Sequence, residues 1–478
     1  MIGNLVDRTQ MLYETSVGLL QGDLRRGKNP TLTIFNTLNW KRSEMLTVYI
    51  DFEVIPRNQF FEITDFQGHS LKVQPIRYRR EGCYYAIFAE DIPPMGYKTF
   101  EIVFKQPSTD TGTITINNAS IENHFYKLQL NPDKGTIQSL YDKELNCELV
   151  DSSSPWELGA FIYEKLGNRD QLAQYRLDDY NRTGLSECRI IDSSNGPIYQ
   201  RILLQGKSPG TDEAFGVNLE IKLYHDTKRI ELEYAIKRLP ETDPSGIYVA
   251  FPFQLPEGKL AFDVQGGTVI SGKNQLEGTS TDWNTVQNFV SVQNNQAQII
   301  IGSSLIPLYQ LGDINLGKFQ YQKQYERPHV YSWVMNNYWN TNFKVSQEGE
   351  FRWSYHLTSS VDPSNNLATK FGWSSRIALY ARVMPTGTEN HKPTEYSAFH
   401  FEKDNFLMTS CTPSKEEGYI LLNIREIDGK RTNLRILNED GQTIPFTIVN
   451  AIEEKLENET SEHIFEGYQN KFIKIKRF

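Results

Sequence analysis

The sequence predicts a mainly β protein, built from antiparallel β-sandwiches with one N-terminal helix. Long stretches alternate apolar and polar residues with a period of two, which is typical of half-buried strands. Aromatic residues make up 12% of the 478 residues, and Val, Ile and Thr are frequent, a composition that favours strands over helices. Turn-forming pairs such as Gln67-Gly68 separate the alternating stretches.

The first 28 residues form the exception, because their apolar residues follow a helical period. Ile2, Leu5, Leu12 and Leu19 recur at spacings of three or seven residues, and Gly22 is a typical helix stop. A lone amphipathic helix cannot bury its apolar stripe by itself. We therefore expect this helix to pack on the strands or on a segment outside this chain.

A small β-sandwich is predicted over residues 29–107. Leu46, Val48 and Ile50 alternate with polar neighbours, and strand-like stretches follow at 71–78, 84–89 and 98–104. Pro, Ser, Thr, Asp and Gly then dominate residues 107–112, which are interpreted as a linker.

A large β-sandwich is predicted over residues 113–385. Its clearest element is a hairpin in which 217–224 and 230–236 alternate in hydropathy across a turn at 225–228. About 270 residues of antiparallel pattern without a clear break favour one large two-sheet sandwich. A second linker is predicted at 385–390, followed by a small terminal sandwich over 391–478.

The net charge of −9 argues against a nucleic-acid partner, since phosphate binding needs a clustered basic surface. The N-terminus lacks the basic and apolar regions of a signal peptide, and no stretch of about 18 apolar residues predicts a membrane span. We therefore expect a soluble protein without a membrane partner, although the compartment is not indicated.

Catalytic and metal-binding motifs are missing from the sequence. The eight histidines form no His-x-His, His-x-x-x-His or His-Glu-x-x-His pattern, and no Gly-x-Ser-x-Gly elbow or phosphate loop is present. We therefore predict no catalytic residue and no metal site in this chain.

Two clusters combine aromatic rings with amides, at 282–287 and 331–343. Such a combination suits sugars, because rings stack on C–H faces while amides hydrogen-bond hydroxyl groups. The alternative is that the rings fill the sandwich and the amides cap turns. The candidate carbohydrate-cleft residues are Asp282, Trp283, Asn336, Asn337, Tyr338 and Trp339.

Several segments resemble the C-terminal half of family 38 glycoside hydrolases, the retaining α-mannosidases. Phe35, Asn36, Leu38, Trp40 and Arg42 match the family's F-N-x-L-x-W-x-R strand. The other similar segments are 122–128, 135–144, the hairpin at 217–236, and 336–339. Together these segments cover nearly the whole chain in the family's order.

The resemblance implies a galactose-mutarotase-like supersandwich that packs near the substrate cleft of a separate catalytic domain. The family's zinc ligands and aspartate nucleophile belong to that domain and map onto no residue here. The resemblance therefore implies that the chain lacks the catalytic domain, needs no cofactor of its own and is inactive alone. It also implies a mannoside and the catalytic domain as partners, with the opening helix as the last helix of a bundle.

Two other functions remain open from the sequence. A stand-alone carbohydrate-binding module would use the same aromatic clusters. A sugar epimerase would need an acid/base pair, usually His with a carboxylate, lining the sandwich, and the histidines show no such grouping.

Overall fold

The computed structural model describes residues 2–106, 119–339 and 344–477. The predicted linker at 107–112 and residues 340–343 of the second aromatic segment lie outside this part of the chain. Antiparallel strands dominate, so the mainly β fold class is confirmed. Among the described helices, none combines the length and the apolar character that a bilayer crossing requires.

The opening helix α1 spans Ile2–Leu19 and continues into a 3-10 turn at Leu20–Asp23, so it ends before Gly22. It contacts the strands through Val17, which is buried beside Leu24 and Phe35, and through Tyr13, whose ring centroid lies 4.7 Å from that of Tyr380. Leu12 and Leu19 of the predicted stripe are instead 64% and 80% exposed. These two residues of the stripe are therefore not covered by the part of the chain that the structure describes.

Six strands follow α1 and enclose an apolar core of alternating residues. A three-stranded sheet in the order β2-β5-β4 faces β1, β3 and β6. The strands are β1 Thr31–Asn36, β2 Arg42–Asp51, β3 Phe60–Thr64, β4 Lys72–Tyr78, β5 Gly82–Ile92 and β6 Gly96–Lys105.

The middle of the chain supplies nineteen further strands, interrupted by a 3-10 turn at Asp170–Gln174. They are β7 Ser120–Glu122, β8 Tyr126–Asn131, β9 Thr136–Asp142, β10 Cys147–Glu148, β11 Phe161–Leu166, β12 Tyr180–Thr183, β13 Ser186–Asn195, β14 Tyr199–Lys207, β15 Val217–Tyr224, β16 Ile230–Arg238, β17 Ser245–Phe251, β18 Lys259–Val264, β19 Gly267–Ile270, β20 Asn284–Thr285, β21 Phe289–Gln293, β22 Gln298–Gly302, β23 Leu308–Leu311, β24 Val330–Asn336 and β25 Gly349–Ser360.

These strands form a large sandwich with one nine-stranded sheet, in the order β13-β14-β15-β16-β25-β22-β21-β18-β19. A six-stranded sheet, β12-β11-β17-β24-β23-β20, and a four-stranded sheet, β10-β9-β8-β7, share its core. The predicted hairpin is confirmed, since β15 pairs β16 with Leu219 opposite Tyr234. Every second residue of β15 is buried, as its hydropathy predicts.

A second helix, α2 Asn365–Arg376, was not predicted. Its mean composition is polar, but the Ser364 hydroxyl caps it by accepting a hydrogen bond from the Leu367 amide. Gly372 packs against Phe289, and a Cβ added at Gly372 would lie 3.0 Å from the Phe289 Cβ. The polar mean composition of the segment, and not a weak apolar period, explains why the sequence did not predict this helix.

The rest of the chain contains β26 Tyr380–Met384, β27 Glu395–Ser397 and a terminal group of strands around its own core. That group comprises β28 His400–Phe401, β29 Phe406–Pro413, β30 Tyr419–Glu426, β31 Thr432–Leu434, β32 Ile436–Leu437, β33 Phe446–Val449, β34 His463–Phe465 and β35 Asn470–Lys476.

β26 and β27 join the first small sandwich rather than a separate unit. β26 pairs β1, and β27 pairs β6, so both strands extend the same sheet. Residues 385–390, predicted to be a linker, therefore connect two strands of one sheet. The domain boundaries themselves stay predictions.

Candidate functional site

The candidate site lies on the face of the six-stranded sheet that points away from the main core. Along β17, Ile247 and Val249 face the main core, so Tyr248 between them faces outward. Trp333 of β24 lies beside Tyr248 with its ring stacked at 6.0 Å between centroids. Period-two alternation thus gives this sheet an aromatic outer surface.

The two aromatic segments predicted from the sequence meet on this surface. The Trp283 ring centroid lies 5.7 Å from that of Trp333 and 5.7 Å from that of Trp339. Tyr338 lies 5.9 Å from Trp333 and 6.1 Å from Trp339. We call Trp283, Trp333, Tyr338 and Trp339 the aromatic cluster. Trp283 and Trp339 are partly exposed, whereas Trp333 and Tyr338 are buried.

The carboxylate of Glu164, on β11, is fully buried and contacts the aromatic cluster through Tyr338. Its Oε1 accepts hydrogen bonds from the hydroxyls of Tyr338 at 2.5 Å and Tyr248 at 3.2 Å. Its Oε2 accepts from Arg182 Nε at 2.5 Å. Burial raises the pKa of both Tyr338 and Tyr248 well above the ordinary value, so both hydroxyls remain donors. Tyr338 is therefore fixed in orientation by a charged acceptor.

Asp282 precedes Trp283 of this cluster in the chain, and its side chain is buried, unlike most surface carboxylates. It is 3% exposed, and its Oδ1 has no hydrogen-bond partner among the described residues. Burial raises the pKa of Asp282 above its usual range. A buried acceptor atom without a partner is uncommon in native proteins.

Asn337 instead holds a turn together. Its Oδ1 accepts a hydrogen bond from the Ser245 amide at 2.7 Å. Its Nδ2 lies at 3.0, 2.9 and 3.1 Å from the carbonyl oxygens of Glu241, Asp243 and Val345. All the hydrogen-bonding capacity expected of the amide is thus used within the chain.

We expect Asn337→Ala to lower the free energy of unfolding by about 1–2 kcal/mol, because the partly buried backbone groups of Ser245 and Glu241 lose their partner. Urea denaturation followed by tryptophan fluorescence measures this change. Asn336→Ala is the matched control, since the Asn336 side chain makes no hydrogen bond to a described residue. Equal stability of the two variants would contradict a structural role for Asn337.

A cavity of about 550 Å³ lies next to the aromatic cluster, and sequence reasoning did not find it. Residues 311–331 supply nearly all of its wall, including Asp313, Lys323, Tyr325 and His329. His329 Nε2 lies 2.9 Å from Asp151 Oδ2. The residues that line the cavity come from one loop and the strands beside that loop, and no short sequence motif identifies them.

The histidine–aspartate pair of this cavity has a defined protonation preference. Burial lowers the pKa of His329 below its usual range. Burial opposes ionisation of Asp151, but hydrogen bonds from Ser153 and His329 lower the pKa of its carboxyl overall. The pair is therefore a neutral imidazole held by a carboxylate near neutral pH.

The described side chains form no site for the zinc that the family resemblance implies for a separate catalytic domain. Across residues 2–106, 119–339 and 344–477, no three His, Cys, Asp or Glu side chains are grouped so that they would hold a metal ion. No step of a reaction is therefore assigned to a metal on these residues.

Comparisons with known proteins agree with this architecture. The family model of the glycosyl hydrolases family 38 C-terminal domain matches residues 121–319. An α-mannosidase from Enterococcus faecalis V583 superposes with a TM-score of 0.75 at 12% identity, covering 99% of this chain and 59% of that one. A family 38 protein from Enterococcus faecalis gives 0.75 at 13% identity, covering 99% and 62%.

This chain thus spans about three fifths of the length of those two proteins. A putative aldose 1-epimerase from Escherichia coli K12 aligns over 52% of this chain with a TM-score of 0.32 at 8% identity. No curated protein matches the sequence. The family model thus makes residues 121–319 similar to the glycosyl hydrolases family 38 C-terminal domain, and the two larger structures share the fold of the chain.

Proposed function

We propose that this chain is the non-catalytic β-sandwich part of an α-mannosidase-like glycoside hydrolase, and that its aromatic cluster borders the carbohydrate site. The observation that carries the proposal is the meeting of Trp283 and Trp339 on one outer surface, although 56 residues separate them. The family 38 match supports the hydrolase context. In this proposal, the reacting groups belong to a separate catalytic domain.

The aromatic cluster would act by positioning a sugar rather than by chemistry. Partly exposed indole rings offer flat faces to the C–H groups of a sugar ring, and they exclude water from one side of it. Trp339 is fixed by contacts with Trp333 and Tyr338, and Tyr338 is itself held by Glu164. A rigid surface of this kind loses little side-chain entropy on binding.

The direct test is calorimetric titration of the chain with mannose oligosaccharides. We expect Trp339→Ala to weaken binding by about 1–1.5 kcal/mol, about tenfold, because one stacking face is lost. Trp373→Ala is the matched control, since Trp373 is a partly exposed indole on α2 and far from the aromatic cluster in the chain. Absence of binding by the unaltered chain, or equal binding by both variants, would leave only a structural role.

A further inference from the structure

The cavity beside the aromatic cluster is large enough for a small ligand and opens to solvent. Its volume of about 550 Å³ falls within the range of about 300–1,000 Å³ that is usual for ligand pockets. Asp313, Lys318 and Arg327 are exposed at its edge, and His329 and Tyr331 are buried in its wall. The cavity therefore has a polar mouth and a partly aromatic interior.

Two polar groups of the cavity have no partner among the described residues. Lys323 is 7% exposed and makes no hydrogen bond or ion pair, although its Nζ lies 5.6 Å from the centre of the Tyr325 ring. The Tyr325 hydroxyl is buried and has no hydrogen-bond partner. Buried donors are normally paired in native proteins, so the unpaired Tyr325 hydroxyl, in one wall with a lysine amine that makes no hydrogen bond to a described residue, points to a ligand that supplies oxygen atoms.

Asp282 and Asp313 attract Lys323 electrostatically, but neither carboxylate forms an ion pair with its amine. Asp313 Oδ2 accepts a hydrogen bond from Lys318 at 2.8 Å, and Asp151 accepts from His329. Arg327 lies 3.6 Å from the same Asp151 carboxylate. The Lys323 amine therefore remains the unpaired cation of the cavity, and its burial lowers the pKa to about 8.

The charge distribution also limits the class of ligand. Carboxylates of Asp282 and Asp313 act electrostatically on Lys323, so an anion would meet repulsion as well as attraction. A cationic ligand would be repelled by Lys323 and Lys318. Hydroxyl groups both donate and accept, and they therefore match a wall that presents unpaired donors beside carboxylate acceptors.

We propose that this cavity is a binding subsite for a neutral sugar residue, whose hydroxyl oxygens accept hydrogen bonds from Lys323 and Tyr325. The inference deepens the function proposed above by locating a sugar unit, but it rests on different residues from the aromatic cluster. Tyr175 and Phe319, which are exposed and have ring centroids 6.1 Å apart, lie on the loops that border this region. They offer an aromatic surface to a second sugar unit.

Site-specific acetylation provides the local test. The chain is treated with acetic anhydride near pH 8, with and without mannose, and each modified lysine is quantified by mass spectrometry. We expect mannose to slow the modification of Lys323 at least fivefold and to leave that of Lys237, which is on β16, unchanged. Glucuronate at the same concentration is expected to protect Lys323 less than mannose does. Stronger protection by glucuronate, or none by mannose, would overturn the proposal.

Two substitutions test the same subsite by titration with mannose. Lys323→Met removes a buried charge without removing volume, and we expect it to weaken mannose binding at least tenfold. Tyr325→Phe removes one donor, and we expect a three- to tenfold loss. Lys237→Met serves as the control and should bind like the unaltered chain. Unchanged affinity in both cavity variants, with thermal unfolding intact, would refute the subsite.

The two proposals fail in distinguishable ways. Protection of Lys323 by mannose should persist in the Trp339→Ala variant, because Trp339 does not line the cavity. If Trp339→Ala binds oligosaccharides normally while Lys323→Met does not, the subsite stands without the aromatic cluster. Loss of Lys323 protection in the Trp339→Ala variant would contradict an independent subsite.

Discussion

Replacing Glu164 by Gln is expected to lower the free energy of unfolding by about 3–5 kcal/mol, as the removal of one partner from a buried ion pair usually does. The Glu164 carboxylate is fully buried and lies 2.5 Å from Arg182 Nε, whose side chain is 14% exposed. Without that carboxylate, the guanidinium keeps its charge in a largely dry environment. The hydroxyls of Tyr248 and Tyr338 lose a charged acceptor as well.

Urea denaturation at pH 7 measures this loss. Glu187→Gln is the control, because Glu187 is 68% exposed and pairs with Lys207 at 2.7 Å. Exposed pairs of that kind contribute less than about 1 kcal/mol. A double variant, Glu164→Gln with Arg182→Met, should recover much of the loss, since it leaves no unpaired charge and keeps an amide oxygen for the two tyrosine hydroxyls. A loss below about 1 kcal/mol for Glu164→Gln would show that the pair does not hold the outer surface together.

Acidification from pH 7 to about pH 4 is expected to remove about 3 kcal/mol of stability through His356 alone, at about 1.4 kcal/mol per pKa unit. Burial, together with the nearby cations Arg229 and Lys222, lowers the pKa of His356 to about 3. His356 Nδ1 lies 3.6 Å from Glu231 Oε2, which exceeds hydrogen-bonding distance.

The sign of this effect follows from the depressed pKa. An unfolded histidine titrates near pH 6.5, so the unfolded chain takes up a proton before the folded chain does. The contribution of His356 is therefore complete above about pH 6.5 and is lost as the pH falls toward 3. Glu231 gives little relief, because a hydrogen bond from Lys222 Nζ at 2.8 Å already engages its carboxylate.

Denaturation at pH 7, 5.5 and 4 compares the unaltered chain with His356→Gln. The variant should lose about 3 kcal/mol less across this range, because its side chain does not titrate. His69→Gln is the control, as the His69 side chain is 78% exposed. Parallel stability curves for the unaltered chain and His356→Gln would show that His356 titrates normally.

The strands could be predicted because the alternation of apolar and polar residues is visible within each short segment of the sequence. Val217, Leu219 and Ile221 alternate with polar residues, and the pairing of β15 with β16 needs only a short turn. The Glu164 site has no such local signature, since Glu164 and Tyr338 are 174 residues apart in the chain. A buried carboxylate within a strand differs from an exposed one only by its partners, which the fold alone supplies.

The candidate site was predictable in its aromatic part and not in its polar part. Trp283 and Trp339 were both selected from composition, and the fold places them in contact. Asn337 was selected for the same reason, yet its amide is used in a turn. Lys323 and Tyr325 were missed, because an unpaired donor is recognisable only when its surroundings are known.

The placement of β26 and β27 determines how the large sandwich is attached. The chain leaves the first small sandwich at the end of β6 and returns to the same sheet at β26, after about 270 residues. β6 and β26 flank β1 on opposite sides, and both run antiparallel to it. The large sandwich is therefore an insertion anchored at both of its ends. Two connections to one sheet restrict rotation of the large sandwich about that sheet more than a single connection would.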